Sequence, residues 1–454
     1  VGWGRGRWGL SRWRVLLAAV LCLAAGLPPA TAQDNGRYVG VATCAGSTCH
    51  GRAEGNGAVV RQDEIATWQE PSSPAGAHSR ALSVLGSLRG RQIAATLGMG
   101  DPSSEPACLG CHATFAPVAE RGPRFQLSEG VGCESCHGAA GGWIATHYTT
   151  GGSHAANVAA GLTPLEDPQT RAKVCLDCHY GSANGNQFVT HRMMAAGHPR
   201  LVFELDLFSA LQQHHDEDAD YAQRKGRTDS VTLWAVGQAE AVRRSTNLFA
   251  RPGFGTEGVF PEFTFYDCHS CHRQINDGPQ RRLTFETNPA RPIPFGQPPF
   301  NDENIIMLSA VSRVLAPGQA DSFEAASREF HRAMGEGRQE AAGAATKLSG
   351  AAGSLSDALA RSGGADAFAI IAAIADRTTS PRFTDYAGSS QAVMAVDTLL
   401  NALVRQGRIT VGAAAGIRTD INNAYEAVRS PESYNPVRFR ASLGQAAGAI
   451  GKLQ

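Results

Sequence analysis

Hydrophobic positions divide the chain into two unlike halves. Near the middle, 231–250 places Leu233, Val236, Ala239 and Val242 on one face, the spacing of an amphipathic helix. Further on, Val393, Val396, Leu400 and Leu403 recur at i, i+3, i+7 and i+10, and the run stops before Gly407. Ile417, Ile421, Tyr425 and Val428 make another stripe of the same kind. This periodicity predicts helices near 303–315, 321–348, 365–376, 387–406 and 410–429, with a sixth candidate near 436–452. An antiparallel helical bundle is the simplest way to bury such faces. From residue 33 to about 300 the pattern differs: glycine and proline are frequent, long periodic runs are few, and short helices joined by loops are expected. The fold class read from the pattern is therefore mainly α, with a loop-rich first domain followed by a bundle.

Two segments punctuate this plan. Residues 288–300 hold five prolines in thirteen positions and read as a linker or an extended crossing segment. At the start, Arg5, Arg7, Arg12 and Arg14 precede the apolar run 15–27, and Ala30-Thr31-Ala32 fits a small-residue cleavage site. This reads as a secretion signal cleaved near Ala32, the alternative being an uncleaved anchor. Cys22 follows Leu21, where a lipid-attachment signal wants a small residue, so no lipid anchor is expected. The expected organisation is a signal at 1–32, a first domain at 33–287, a linker at 288–302 and an Ala-rich helical domain at 303–454. A periplasmic location follows from the signal. No later segment approaches the ~20 apolar residues of a membrane helix, so the mature protein is not expected to span a membrane.

The chemistry lies in the first domain. Five times a pair of cysteines closes onto a histidine: Cys44–Cys49–His50, Cys108–Cys111–His112, Cys133–Cys136–His137, Cys175–Cys178–His179 and Cys268–Cys271–His272. C-x-x-C-H is the attachment signature of c-type haem. Two thiols add across the vinyl groups of a rigid ring, and the next residue points its imidazole under the iron. A disulfide framework would not require histidine after every second cysteine, and a zinc site would not explain five triplets at irregular spacing. Four copies have the two-residue gap. The first, Cys-Ala-Gly-Ser-Thr-Cys-His, has four, which a bulged loop can absorb with help from Gly46. For that copy a Cys44–Cys49 disulfide is the alternative. Five haem c groups are expected, four from the regular motif and one from the variant. At about one per 54 residues, the porphyrins themselves supply much of the core.

Nine histidines remain as candidate distal ligands for five irons. His78, His147, His191 and His198 are the first choices, followed by His154, His214 and His215, of which only one of the adjacent pair is expected to reach an iron. The run Asp216-Glu217-Asp218 behind that pair reads as a solvated loop. His269 sits between the cysteines of the fifth motif, too close to cap its own haem, and His331 reads as a surface helix position. Met193 and Met194 are alternative distal ligands that would raise a potential. Abundant histidine favours mostly low-potential bis-His centres.

Charge adds little. The chain has 41 basic and 41 acidic residues, and losing the four leader arginines leaves 37 against 41, a balance of −4. That argues against nucleic acid and for a neutral or basic docking partner.

The first domain resembles the multihaem c-type cytochromes typified by the tetrahaem electron acceptor of hydroxylamine oxidoreductase. The resemblance rests on Tyr38-Val39-Gly40 leading into CAGSTCHG, on Trp68 followed by His78-Ser79-Arg80-Ala81, and on Gly130-Val131-Gly132 running into Cys133-Glu134-Ser135-Cys136-His137-Gly138, with His147 soon after. Members with an additional haem are similar through Met194-Ala195-Ala196-Gly197-His198-Pro199-Arg200-Leu201 and Phe203-Glu204-Leu205. It covers roughly 37–275, and it implies electron transfer through closely stacked haems, redox proteins as partners, and His78, His147 and His198 as distal ligands. It extends more loosely to pentahaem nitrite reductase and hydroxylamine oxidoreductase, but no C-x-x-C-K marks a catalytic haem here. The wide first motif, the fifth motif and the helical C-terminal region depart from the tetrahaem type. Three readings follow: an electron carrier with no catalytic residue, an oxidoreductase acting on nitrite, hydroxylamine or NO at a five-coordinate haem, and a subunit of a multihaem conduit, with oligomerisation left open.

Overall fold

A computed structural model describes residues 1–2, 36–54, 61–149, 151–183, 186–215, 219–226, 229–252, 254, 262–273, 291–293, 297–363 and 365–454. Residues 3–32 of the leader, the acidic run 216–218 and part of the proline-rich segment lie outside these residues. The described chain is mainly helical, with isolated β-bridges and no strand. Its helices of ten or more residues are α1 (Leu88–Leu97), α2 (Pro168–His179), α3 (Ser230–Ala250), α4 (Glu303–Leu315), α5 (Pro317–Ala333), α6 (Arg338–Leu359), α7 (Ala367–Thr378), α8 (Tyr386–Arg405), α9 (Val411–Ala427) and α10 (Pro436–Gly451). None is long and apolar enough to cross a membrane.

Local chemistry sets these boundaries. The Asp167 carboxylate accepts from Thr170 N at 2.8 Å, with Pro168 at the first position of α2, where a missing N–H costs nothing. Asp229 does the same for α3 through Thr232 N, and Pro252 follows its end. One expected helix is in fact two. The 321–348 segment is broken between Ala333 and Arg338, and α5 begins at Pro317 rather than 321. Gly335 and Gly337 stand at the break, each costing about 1 kcal/mol inside a helix, so the chain turns there and α6 packs back on α5.

The C-terminal helices share one core with α3, which precedes the proline-rich segment. Val231, Trp234, Val236, Ala239 and Val242 of α3 are buried with Met307 and Leu308 of α4, Leu348 and Leu355 of α6, and Val393, Val396, Leu400 and Leu403 of α8. Helix α8 is buried along most of its length and lies at the centre. Four phenylalanines tie the parts together: Phe300 meets Phe330 of α5 at 4.9 Å and Phe249 of α3 at 5.7 Å, and stacks on Phe265 at 6.1 Å.

Histidine 331 is buried in this core rather than on the surface. Its Nδ1 donates to Ser327 O at 2.8 Å and its Nε2 lies 3.1 Å from Asp302. A histidine on an alanine-rich helix carries no local sign of burial; here a partner carboxylate makes burial tolerable.

The motif-bearing half has only small apolar clusters, such as Leu85, Leu109 and Ala113, or Leu176, Leu205 and Leu233 with its neighbours. In place of a core it encloses a cavity.

Candidate functional site

The motifs are shaped first by their own backbones. In the third and fifth copies the histidine N–H closes onto the first cysteine's carbonyl, His137 to Cys133 at 2.9 Å and His272 to Cys268 at 2.8 Å. The first copy reaches the same closure across its longer gap, with His50 N to Cys44 O at 3.2 Å, because Cys49 N turns back to Gly46 O at 2.8 Å. The glycine this loop requires is Gly51, not Gly46 as the sequence suggests. A Cβ on Gly51 would fall 2.1 Å from Ala45 O, whereas one on Gly46 would meet the Cys49 side chain, Sγ at 3.3 Å and Cβ at 3.8 Å. The ten motif cysteines are not joined by disulfides.

Motif 3 organises what lies around it. Glu134, inside C-E-S-C-H, is buried and accepts from Val39 N at 2.9 Å, Gly40 N at 2.8 Å and Ala140 N at 2.8 Å. The Tyr38-Val39-Gly40 segment ahead of motif 1 is thereby pinned to motif 3. The Cys44 thiol lies close enough to that of Cys133 to interact with it, and Cys111 Sγ lies 4.0 Å from Cys178 O while Cys178 Sγ lies 3.8 Å from Gly110 O. Motif 1 therefore abuts motif 3, and motif 2 abuts motif 4.

Each motif histidine faces a histidine from elsewhere in the chain. Ring centres are 6.2 Å apart for His50 and His147, 6.4 Å for His112 and His198, and 6.3 Å for His137 and His214. The remaining pairs are His179 with His78 at 6.1 Å and His272 with His191 at 6.2 Å. Two imidazoles bonded in trans to one metal at about 2 Å each hold their ring centres about 6.2 Å apart. The residues present thus fit a bis-imidazole iron at all five motifs.

Hydrogen bonds select the donor atom. Nδ1 is engaged by Glu64 in His50 at 2.9 Å, by Ala81 O in His112 at 2.6 Å, by Pro199 O in His198 at 2.8 Å and by Gln212 O in His214 at 2.8 Å. Such bonds fix the tautomer and leave Nε2 for a metal. Burial favours the neutral, ligating form: it pushes His179 and His214 down to about 4 and lowers His78, His147, His198 and, most strongly, His137. His50 moves up instead, because it donates to the Glu64 carboxylate.

A single cavity of about 1130 Å³ runs past motifs 1 to 4 and their facing histidines. This exceeds the ~300–1,000 Å³ of a usual small-molecule site. Cys268, Cys271 and His272 do not line it. The fifth motif is held instead by the C-terminal half: Asp267 accepts from Ala387 N at 3.1 Å, and Asp267 N donates to Pro299 O at 3.0 Å.

Not every candidate histidine faces a motif. His154 Nε2 lies 2.6 Å from Glu166 Oε1, and its ring meets no motif histidine among the described residues. His269 donates to Pro431 O at 2.8 Å and packs edge-on to Tyr434. Both His214 and His215 approach His137, the latter at 5.9 Å.

Sequence reasoning missed Glu64, Glu134 and Glu262, the last accepting from His191 N at 2.7 Å. It also missed that Phe203 stacks on His179 at 4.7 Å and that buried Trp68 lies 5.8 Å from His78 and 4.9 Å from His214. Trp68, Phe203 and Glu134 were visible as part of the family resemblance; Glu64 and Glu262 had no signal of their own.

Residues 43–138, which span the first three motifs, match the family model of cytochrome c554 and c-prime. No curated protein and no solved structure matches the chain.

Proposed function

We propose that this chain is a periplasmic c-type cytochrome that carries electrons through five bis-His haems. The observation that carries the reading is the set of five histidine pairs, each at the ring separation a shared metal would impose. The match of residues 43–138 to the cytochrome c554 and c-prime family supports it for the first three motifs. Bound haem would supply a reversible one-electron centre at each pair.

The protein's part is to hold, orient and insulate. Proximal histidines are set by the motif backbones, and distal ones arrive on distant segments. Carbonyls and Glu64 orient the rings, and burial favours the neutral form of His78, His137, His147, His179, His198 and His214. Haems attached at these cysteines would be held near each other in two pairs, at motifs 1 and 3 through Cys44 and Cys133, and at motifs 2 and 4 through Cys111 and Cys178. Cys136 of motif 3 lies within electrostatic reach of Cys175 and Cys178 of motif 4. His191 and His198, facing motifs 5 and 2, lie one short helix apart. These contacts would place each attachment site next to another, the condition for passing electrons between bound haems.

An oxidoreductase reading needs an iron with an open position, and every motif histidine here has an imidazole facing it. Purified oxidised protein should give five haems by pyridine haemochrome and only low-spin EPR signals. Four haems would point to Cys44–Cys49 as unloaded, and a high-spin signal shifted by nitrite or hydroxylamine would replace the carrier reading with catalysis. The mass of the exported protein tests cleavage near Ala32.

A further inference from the structure

We infer that His214 and His215 are interchangeable sixth ligands for the iron held by His137, so that this centre stays closed whichever imidazole it uses. The inference rests on the bis-His reading above and deepens it at one site.

Ligand atoms of His137, His214 and His215 all lie within 4.8 Å of one another. Two nitrogens in trans on one iron are about 4 Å apart. His214 and His215 rings sit 4.2 Å from each other, and both approach His137, at 6.3 and 5.9 Å. Neither meets another motif histidine among the described residues, and the other four motif histidines each have a partner of their own.

In both rings Nδ1 faces an acceptor. The Nδ1 of His214 bonds Gln212 O at 2.8 Å, and the Nδ1 of His215 lies 3.3 Å from Glu64 Oε1. Each is left with Nε2 as its free donor. Glu64 is buried and already holds His50 through its other oxygen at 2.9 Å, so the His215 anchor is fixed by the neighbouring centre. The exchange is a plain substitution: one Fe–Nε2 bond breaks as the other forms. No electron is gained or lost.

The test uses the full-length haem-loaded protein. H214A and H215A should each retain five haems and remain wholly low-spin, with no CO binding in the reduced state. The H214A/H215A double variant should turn about one-fifth of the haem high-spin and CO-reactive, and added imidazole should restore the low-spin signal. The single variants should also differ from each other, because His214 stands at 90° to His137 and His215 at 73°. A high-spin fraction in either single variant overturns interchangeability, and so does a double variant that stays low-spin. If H214A or H215A loads poorly, H214Q and H215Q give the same comparison. Wild-type protein lacking haem at Cys133 and Cys136 would instead defeat the underlying haem reading.

Discussion

The ring of His78 stands 6.1 Å from that of His179, the histidine of the fourth motif, although the chain passes through two other motifs on the way from one to the other. Phe203 stacks on His179 at 4.7 Å. H78A should leave the thioether-bound haem in place, because Cys175 and Cys178 are untouched. The iron should lose its sixth ligand, so the haem count stays at five while about one-fifth of the haem becomes high-spin and binds CO. A fully low-spin H78A protein would show that another residue closes this centre.

Ring orientation differs among the pairs. His50 and His147 are nearly parallel, at 13°, and His191 and His272 are at 36°, whereas His112 and His198 are at 90°. Parallel imidazoles split the iron d orbitals strongly, and crossed ones leave them nearly degenerate. Low-temperature EPR should therefore show rhombic low-spin signals from haems 1 and 5 together with large-gmax signals from haem 2. H198A should remove a large-gmax component and leave the rhombic ones.

Gly51 should decide whether the wide first motif is loaded. G51A places a methyl 2.1 Å from Ala45 O and cannot keep the loop that returns His50 over Cys44. The haemochrome count should fall from five to four in G51A and stay at five in G46A.

Glu134 joins two motifs through three N–H donors, and hydrogen bonds to a charged group are worth about 1.5–3 kcal/mol each. E134Q removes the charge and one acceptor oxygen. Urea unfolding should show a loss of about 2 kcal/mol, with the Cys44–Cys49 haem the first to be incompletely attached.

Glu204 gives the fold a pH dependence of known sign. Burial, aided by repulsion from Asp206, pushes its carboxyl up to about 7, against the opposing bonds from Leu207 N, Asp206 N and the Thr398 hydroxyl. A carboxyl raised in the fold is cheapest when protonated. Its contribution is full below the unfolded value of 4.5 and is lost as pH rises through about 7. Relative to E204Q, wild-type stability should fall between pH 5 and 8, with a slope of at most about 1.4 kcal/mol per pH unit. Parallel Tm curves for the two proteins would remove Glu204 as the cause.

The sequence by itself determined what depends on near neighbours. Two cysteines and a histidine within seven residues or fewer form a local pattern, so all five motifs can be read along the chain, as can the apolar stripes of α3, α8 and α9. Even at that range a pair of glycines was enough to hide the break between α5 and α6, because periodicity reads across a short turn. Tertiary structure alone decided which surplus histidine meets which motif. His147, His198 and His78 lie far along the chain from their partners, and their placement depends on packing and on buried acceptors such as Glu64 and Glu134. His154 and His331 look no different in sequence, yet one sits beside Glu166 and the other beside Asp302. The helical region carrying no motif found its role the same way: with α3 it forms the main core, and through Ala387 and Pro431 it holds the fifth motif. The reason is physical: an imidazole has the same chemistry everywhere, and only the long-range fold supplies the metal site, carboxylate or carbonyl that it meets.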